Sequence, residues 1–110
     1  MVEIKRNYEA EDFVFEATEN GKPAAVLYGK IIESALHIIR YTGDKYLFDG
    51  VCRGALNNAE HEGANSAVIE ESVPDWLLML FNYKRSITSI SDFFEEKNCD
   101  CSCNCGDNIV

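Results

Sequence analysis

A chain of 110 residues is the size of one domain, and with 46% apolar residues it is not a disordered chain. Its formal charge of −9 argues against DNA, RNA or anionic lipid as partners, because those need clustered Lys and Arg. No stretch reaches the roughly 18 apolar residues that span a bilayer, and "MVEIKRNYEAEDF" lacks the apolar core of a signal peptide, so a cytoplasmic protein is expected.

"VEIKR" (2–6) adds an edge strand. "FVFEAT" (13–18) alternates Phe13, Phe15 and Ala17 against Val14, Glu16 and Thr18, the period of a strand. Asn20-Gly21 is a hairpin turn. "AAVLYGKII" (24–32) is the returning strand, and Gly29 marks a bulge or bend in it. "ALHIIRY" (35–41) is apolar on both sides and therefore central. From Leu47 to His61 the period changes. Leu47, Val51, Ala55 and Ala59 recur every four residues beside Cys52 and Leu56, the stripe of a helix. Asp44 or Asp49 caps its start, and Gly63 stands where a helix-ending glycine belongs.

"SAVIEE" (66–71) is a short strand. Pro74 opens a second helix, "PDWLLMLFNY", with Asp75 favourable in its first turn. Trp76, Leu77, Leu80 and Phe81 on it read as core, with a dimer surface as the alternative. "SITSI" (86–90) is a last strand and "SDFFEEK" (91–97) a short turn or helix. The order predicts an α/β (α+β) fold, a mixed β-sheet with helices packed on it. Strands 35–41 and 66–71 should be parallel neighbours joined by the crossover helix. One domain covers 1–97, and a Cys-rich tail covers 98–110.

Three groups of residues invite chemistry. His37 reads as a hydrogen-bonded core or rim residue, with a general base as the alternative. His61, between Glu60 and Glu62, reads as a solvated residue at the negative end of a helix. Cys99, Cys101, Cys103 and Cys105 offer soft thiolates that suit Zn²⁺ or Cu⁺. Their strict alternation points thiols to opposite sides of an extended chain, unlike the C-x₂-C pairs of a zinc ribbon. The tail therefore reads as contributing little to folding, with metal or thiol handling as the alternative.

The order of elements resembles the later part of the GNAT N-acetyltransferase fold, over roughly residues 13 to 94. "ALHIIRYTGDKYLFDGVCRGALNNAEHEGANSAVIEES" followed by "LLMLFNYKRSI" carries the resemblance. "VCRGALNNAEHEGA" (51–64) is similar to the helix that follows the family's Q/R-x-x-G-x-G/A loop, including the closing Gly-Ala. The family's usual N-terminal helices are missing, so the resemblance implies an N-terminally shortened acyl-CoA N-acyltransferase fold.

The resemblance implies acetyl-CoA as cofactor and acetyl transfer to an amine, on a small molecule or a protein. Ile38, Ile39, Arg40 and Tyr41 would line the thioester, with Lys45 and Gly50 at the pyrophosphate. The three loop signature positions hold Gly43, Tyr46 and Phe48, so the two positions for small residues carry aromatic rings. Leu78 stands where the family often has a tyrosine acid, Asn82 replaces the glycine of "LGF", and Tyr83 replaces its phenylalanine. Tyr83 and Glu70 are the catalytic candidates, with Glu71 beside Glu70. A non-catalytic GNAT-fold module that binds a ligand or a protein is the alternative. Uncovered apolar surface at the short N-terminal part favours a homodimer.

Overall fold

A computed structural model describes residues 1–9 and 12–95. The four tail cysteines, and with them the expected metal or thiol chemistry, lie outside the described residues. The fold is a six-stranded mixed sheet with helices, its strands side by side in chain order. The strands are β1 (Val2–Arg6), β2 (Phe13–Glu19), β3 (Lys22–Ile32), β4 (Ala35–Gly43), β5 (Ser66–Ile69) and β6 (Ser86–Ile87). β1 to β4 form an antiparallel meander, β4 and β5 are parallel, and β6 returns antiparallel to β5. The expected parallel pairing is thus present, with α1 (Phe48–His61) as the crossover. No helix among the described residues is long and apolar enough to cross a membrane.

The two hairpins differ in how readable they are. Asn20 and Gly21 both have positive φ, as a two-residue hairpin turn requires. Glu33 and Ser34 do the same between β3 and β4 without a glycine, at φ 50° and 68°. β4 carries a bulge: Tyr28 faces Arg40 and Gly29 faces Ile38, so Ile39 is the extra residue. A Cβ on Gly29 would stand 2.7 Å from the carbonyl oxygen of His37, which is why only glycine fits opposite the bulge. The bulge also changes which face β4 presents. Leu36 and Ile38 are buried, and Tyr41, three residues on instead of two, packs edge-on against Phe48 at 5.0 Å.

α1 buries Phe48, Val51, Cys52, Ala55, Leu56 and Ala59 against the sheet. It ends in a Schellman motif: Gly63 N–H donates to the carbonyl of Glu60, and Ala64 N–H to that of Ala59. α2 (Asp75–Leu80) is shorter than the ten residues expected, because Asn82 at φ 60° closes the same motif early. Asn82 N–H donates to Met79, and Tyr83 N–H to Leu78 at 2.8 Å. A six-residue helix buries one side only. Leu77 and Leu78 face inward, and Trp76 and Leu80 are exposed with Met79, which corrects the reading of Trp76 and Leu80 as core. β6 is also shorter than expected. Residues 90–95 are helical, with the Ser89 hydroxyl accepting the Asp92 N–H at 3.1 Å as an N-cap.

Candidate functional site

The loop from β4 into α1 is the first place where ligand chemistry was expected. It leaves the sheet at Gly43, whose φ of +114° and contact with Ala24 fix the turn. A single 3-10 turn, Lys45–Leu47, then leads into α1. The Asp44 carboxylate accepts the Tyr46 N–H at 2.9 Å and so caps that turn. The Tyr41 hydroxyl donates to the carbonyl of Asp44 and ties the loop to β4. Lys45 lies over the Tyr46 ring, 5.2 Å from its centre, with Tyr46 itself exposed.

Two expectations about this loop change. Phe48 does not stand in the loop mouth. It is the first residue of α1 and fully buried, among the rings of Tyr41, Phe81 and Tyr83. Ahead of α1, whose own start at Leu47 has no side-chain cap, stands the Asp44 carboxylate. It already holds one of the backbone donors and repels further negative charge. Gly50 lies inside the first turn of α1, where a Cβ would be 3.1 Å from the Cδ1 of Ile4. It serves the approach of helix to β1.

The second place is the fork between β4 and β5. The two strands pair from Ala35 to Ile38 on one and Ser66 to Ile69 on the other. A last bond runs from Glu70 N–H to the carbonyl of Ile38 at 2.9 Å. Beyond it β4 continues to Gly43 bonded to β3 alone, and the Ser72 hydroxyl takes up the carbonyl of Ile39. His37 and Glu70 lie on the same face at this fork, Nδ1 to Oε2 at 3.1 Å. Arg40 covers the ring of Tyr28, its cross-strand partner, at 4.5 Å. Residues 69–75 are fixed by Arg85. Its guanidinium donates to the carbonyls of Glu70 at 2.6 Å and Val73 at 2.7 Å, and to the Asp75 carboxylate. No periodicity marks Arg85 in the sequence.

The two catalytic candidates are not together. Glu70 pairs with His37 on one face of the sheet. Tyr83 lies on the α1 face, buried against Phe48, with its hydroxyl donating to Asp49 at 2.7 Å. Asp49 is also 3.5 Å from the Nε of Arg53, one turn along α1. Burial pushes the Tyr83 phenol far above its ordinary value, and the nearby Cys52 and Asp49 add to the shift. Its proton is engaged by the Asp49 carboxylate.

Tyr41 is raised from 10.0 to about 12, by burial first and then by the charge of Asp44. These shifts give an alkaline prediction. Between pH 10 and 12 the unfolded chain releases phenolic protons that the folded chain retains, so the folded state loses stability as pH rises through that window. Stability from this source is intact below pH 10. In a spectroscopic titration, the Tyr83 phenolate should appear only together with loss of tertiary structure. Its ionisation in a fully folded protein would contradict the buried hydrogen bond.

Among the described residues no three His, Cys, Asp or Glu side chains are grouped to hold a metal ion. Comparison of the chain with protein-family models, with curated proteins and with solved structures finds no match.

Proposed function

We propose that the chain is a binding module of GNAT-like layout that does not carry out acetyl transfer from acetyl-CoA. The observation that carries this reading is the Asp44 carboxylate at the Tyr46 N–H, where a pyrophosphate would need free backbone donors. The loop residues do not fit that group: its single lysine lies on Tyr46, and Asp44 adds a carboxylate to the turn ahead of the helix. The exposed Trp76, Met79 and Leu80 on α2 favour a protein as the bound partner, since aromatic and Met side chains are enriched at such contacts.

A second reading, a GNAT-like acetyltransferase, is favoured by the bulge at Ile39 and the parting of β4 from β5 beside it. Backbone donors along Ile38 to Arg40 would then face a thioester oxygen. Calorimetric titration with acetyl-CoA separates the two. The unaltered protein should give no binding heat up to roughly 1 mM ligand, which limits any affinity to about −4 kcal/mol or weaker. Asp44→Asn keeps the cap and removes the charge, so it should bind more tightly than the parent. A dissociation constant of about 100 μM or below for the unaltered protein would sink the module reading. A zinc titration, made with and without residues 99–110, assigns any metal-dependent heat to the cysteines.

A further inference from the structure

β1 is an edge of the sheet, and its outer side has no strand among the described residues. Its hydrogen bonds show which groups are left over. The Met1 carbonyl accepts the Asn20 N–H at 3.0 Å, and the Asn7 N–H donates to Val14 at 2.8 Å. With Glu3 opposite Thr18 and Lys5 opposite Glu16, the odd-numbered residues are bonded to β2. Val2, Ile4 and Arg6 therefore turn their N–H and C=O groups outward. Val2 and Ile4 are also exposed, at 40% and 37%.

We propose that a second copy of this chain pairs with this edge, β1 against β1 and antiparallel, about a two-fold axis at Ile4. In that register the sequence "VEIKR" is complementary to itself. Ile4 faces its own copy, and Val2 faces Arg6 of the other copy through the outward backbone groups. Glu3 then stands opposite Lys5 of the other copy, twice by symmetry. These are non-hydrogen-bonded positions, where Cβ atoms come closest and opposite charges attract most. Ile4 lies against Gly50 and Gly54 of α1, and Arg6 is held by Asn58 and Glu62 of the same helix. A one-residue slip would set outward backbone groups against inward ones and lose both charge pairs. The competing use of Lys5 is to keep the edge single, as edge lysines often do.

Sedimentation velocity decides between them. A single strand pair buries little area, so association is concentration-dependent and is measured at roughly 100 μM chain. About 0.15 M salt moderates the repulsion between two acidic protomers. The unaltered protein should sediment as a dimer. Glu3→Lys puts lysines opposite lysines and should weaken dimerisation about tenfold or more. Lys5→Glu should do the same with carboxylates. The double variant Glu3→Lys/Lys5→Glu restores both pairs and should recover the dimer. An equimolar mixture of the two single variants should form a heterodimer although neither associates alone. Circular dichroism on each variant guards against unfolding, and Glu3→Lys is the cleaner one because Lys5 also faces Glu16. A monomer at 100 μM overturns the proposal. So does a dimer that ignores both single exchanges, or single variants that fail to combine.

Discussion

Phe48→Ala should lower the free energy of unfolding by about 4 kcal/mol, the cost of emptying a fully buried aromatic site. Phe48 is the common contact of three other rings: Tyr41 at 5.0 Å, Tyr83 at 5.3 Å and Phe81 at 6.1 Å. Each well-placed pair adds about 0.5–1.5 kcal/mol beyond buried area. The three rings come from β4 and from the turn after α2, so one side chain joins the crossover helix to both of its neighbours. A domain of this size has only about 5–15 kcal/mol to lose. Urea unfolding followed by circular dichroism measures the change, and Phe48→Leu, which keeps most of the volume, should lose less than half as much. A loss below about 1.5 kcal/mol for the alanine variant would mean that the ring cluster is not packed as described.

Gly43→Ala should be nearly as damaging, for a backbone reason. The φ of +114° is a conformation that L side chains rarely adopt, and the added Cβ would lie 2.3 Å from the Ala24 carbonyl oxygen. The atoms it would meet all belong to the backbone of Ala24 and Ala25, so β3 or β4 has to move. A loss of about 3 kcal/mol follows, lowering Tm by roughly 12–24 °C in a domain this small. Gly21→Ala is the internal comparison. It also has positive φ, at +82°, but nothing lies within 4 Å of its Cβ position. It should lose only about 1 kcal/mol. Equal losses at the two glycines would show that φ alone, and not the contact with Ala24, sets the cost.

The elements whose cause is local were legible in the sequence. Asn20-Gly21 announces its turn, the four-residue recurrence from Val51 to Ala59 announces α1, and Gly29 announces a bulge, though the extra residue, Ile39, is on β4 and not on the strand of Gly29. The turn at Glu33-Ser34 was not, because neither residue favours positive φ and the hairpin is held by the strands on either side of it. "WLLML" could not be phased: apolar residues in succession give no stripe, and Asn82, rather than the apolar run, ends α2. At the candidate site the same division holds. Asp44 as a cap is a short-range signal, but it caps the 3-10 turn, and neither Asp44 nor Asp49 caps α1 itself. The burial of Phe48, the His37–Glu70 pair and the Arg85 clamp all depend on which distant strand or turn lies alongside.

The fork between β4 and β5 gives one strand two lifetimes. Up to Ile38, β4 is an interior strand, and opening it breaks bonds on both sides. From Arg40 to Gly43 the strand pairs with β3 alone, and Ile39 is the bulge residue tied by Ser72, so opening there needs less free energy and the amide protons exchange with solvent sooner. The loop that leads into α1 hangs from this weaker half. A partner that settles at the helix start therefore meets the less protected half of β4. Binding there would register as slowed hydrogen exchange from Ile39 to Gly43, with the amides before the fork unchanged, whatever the chemical nature of the partner.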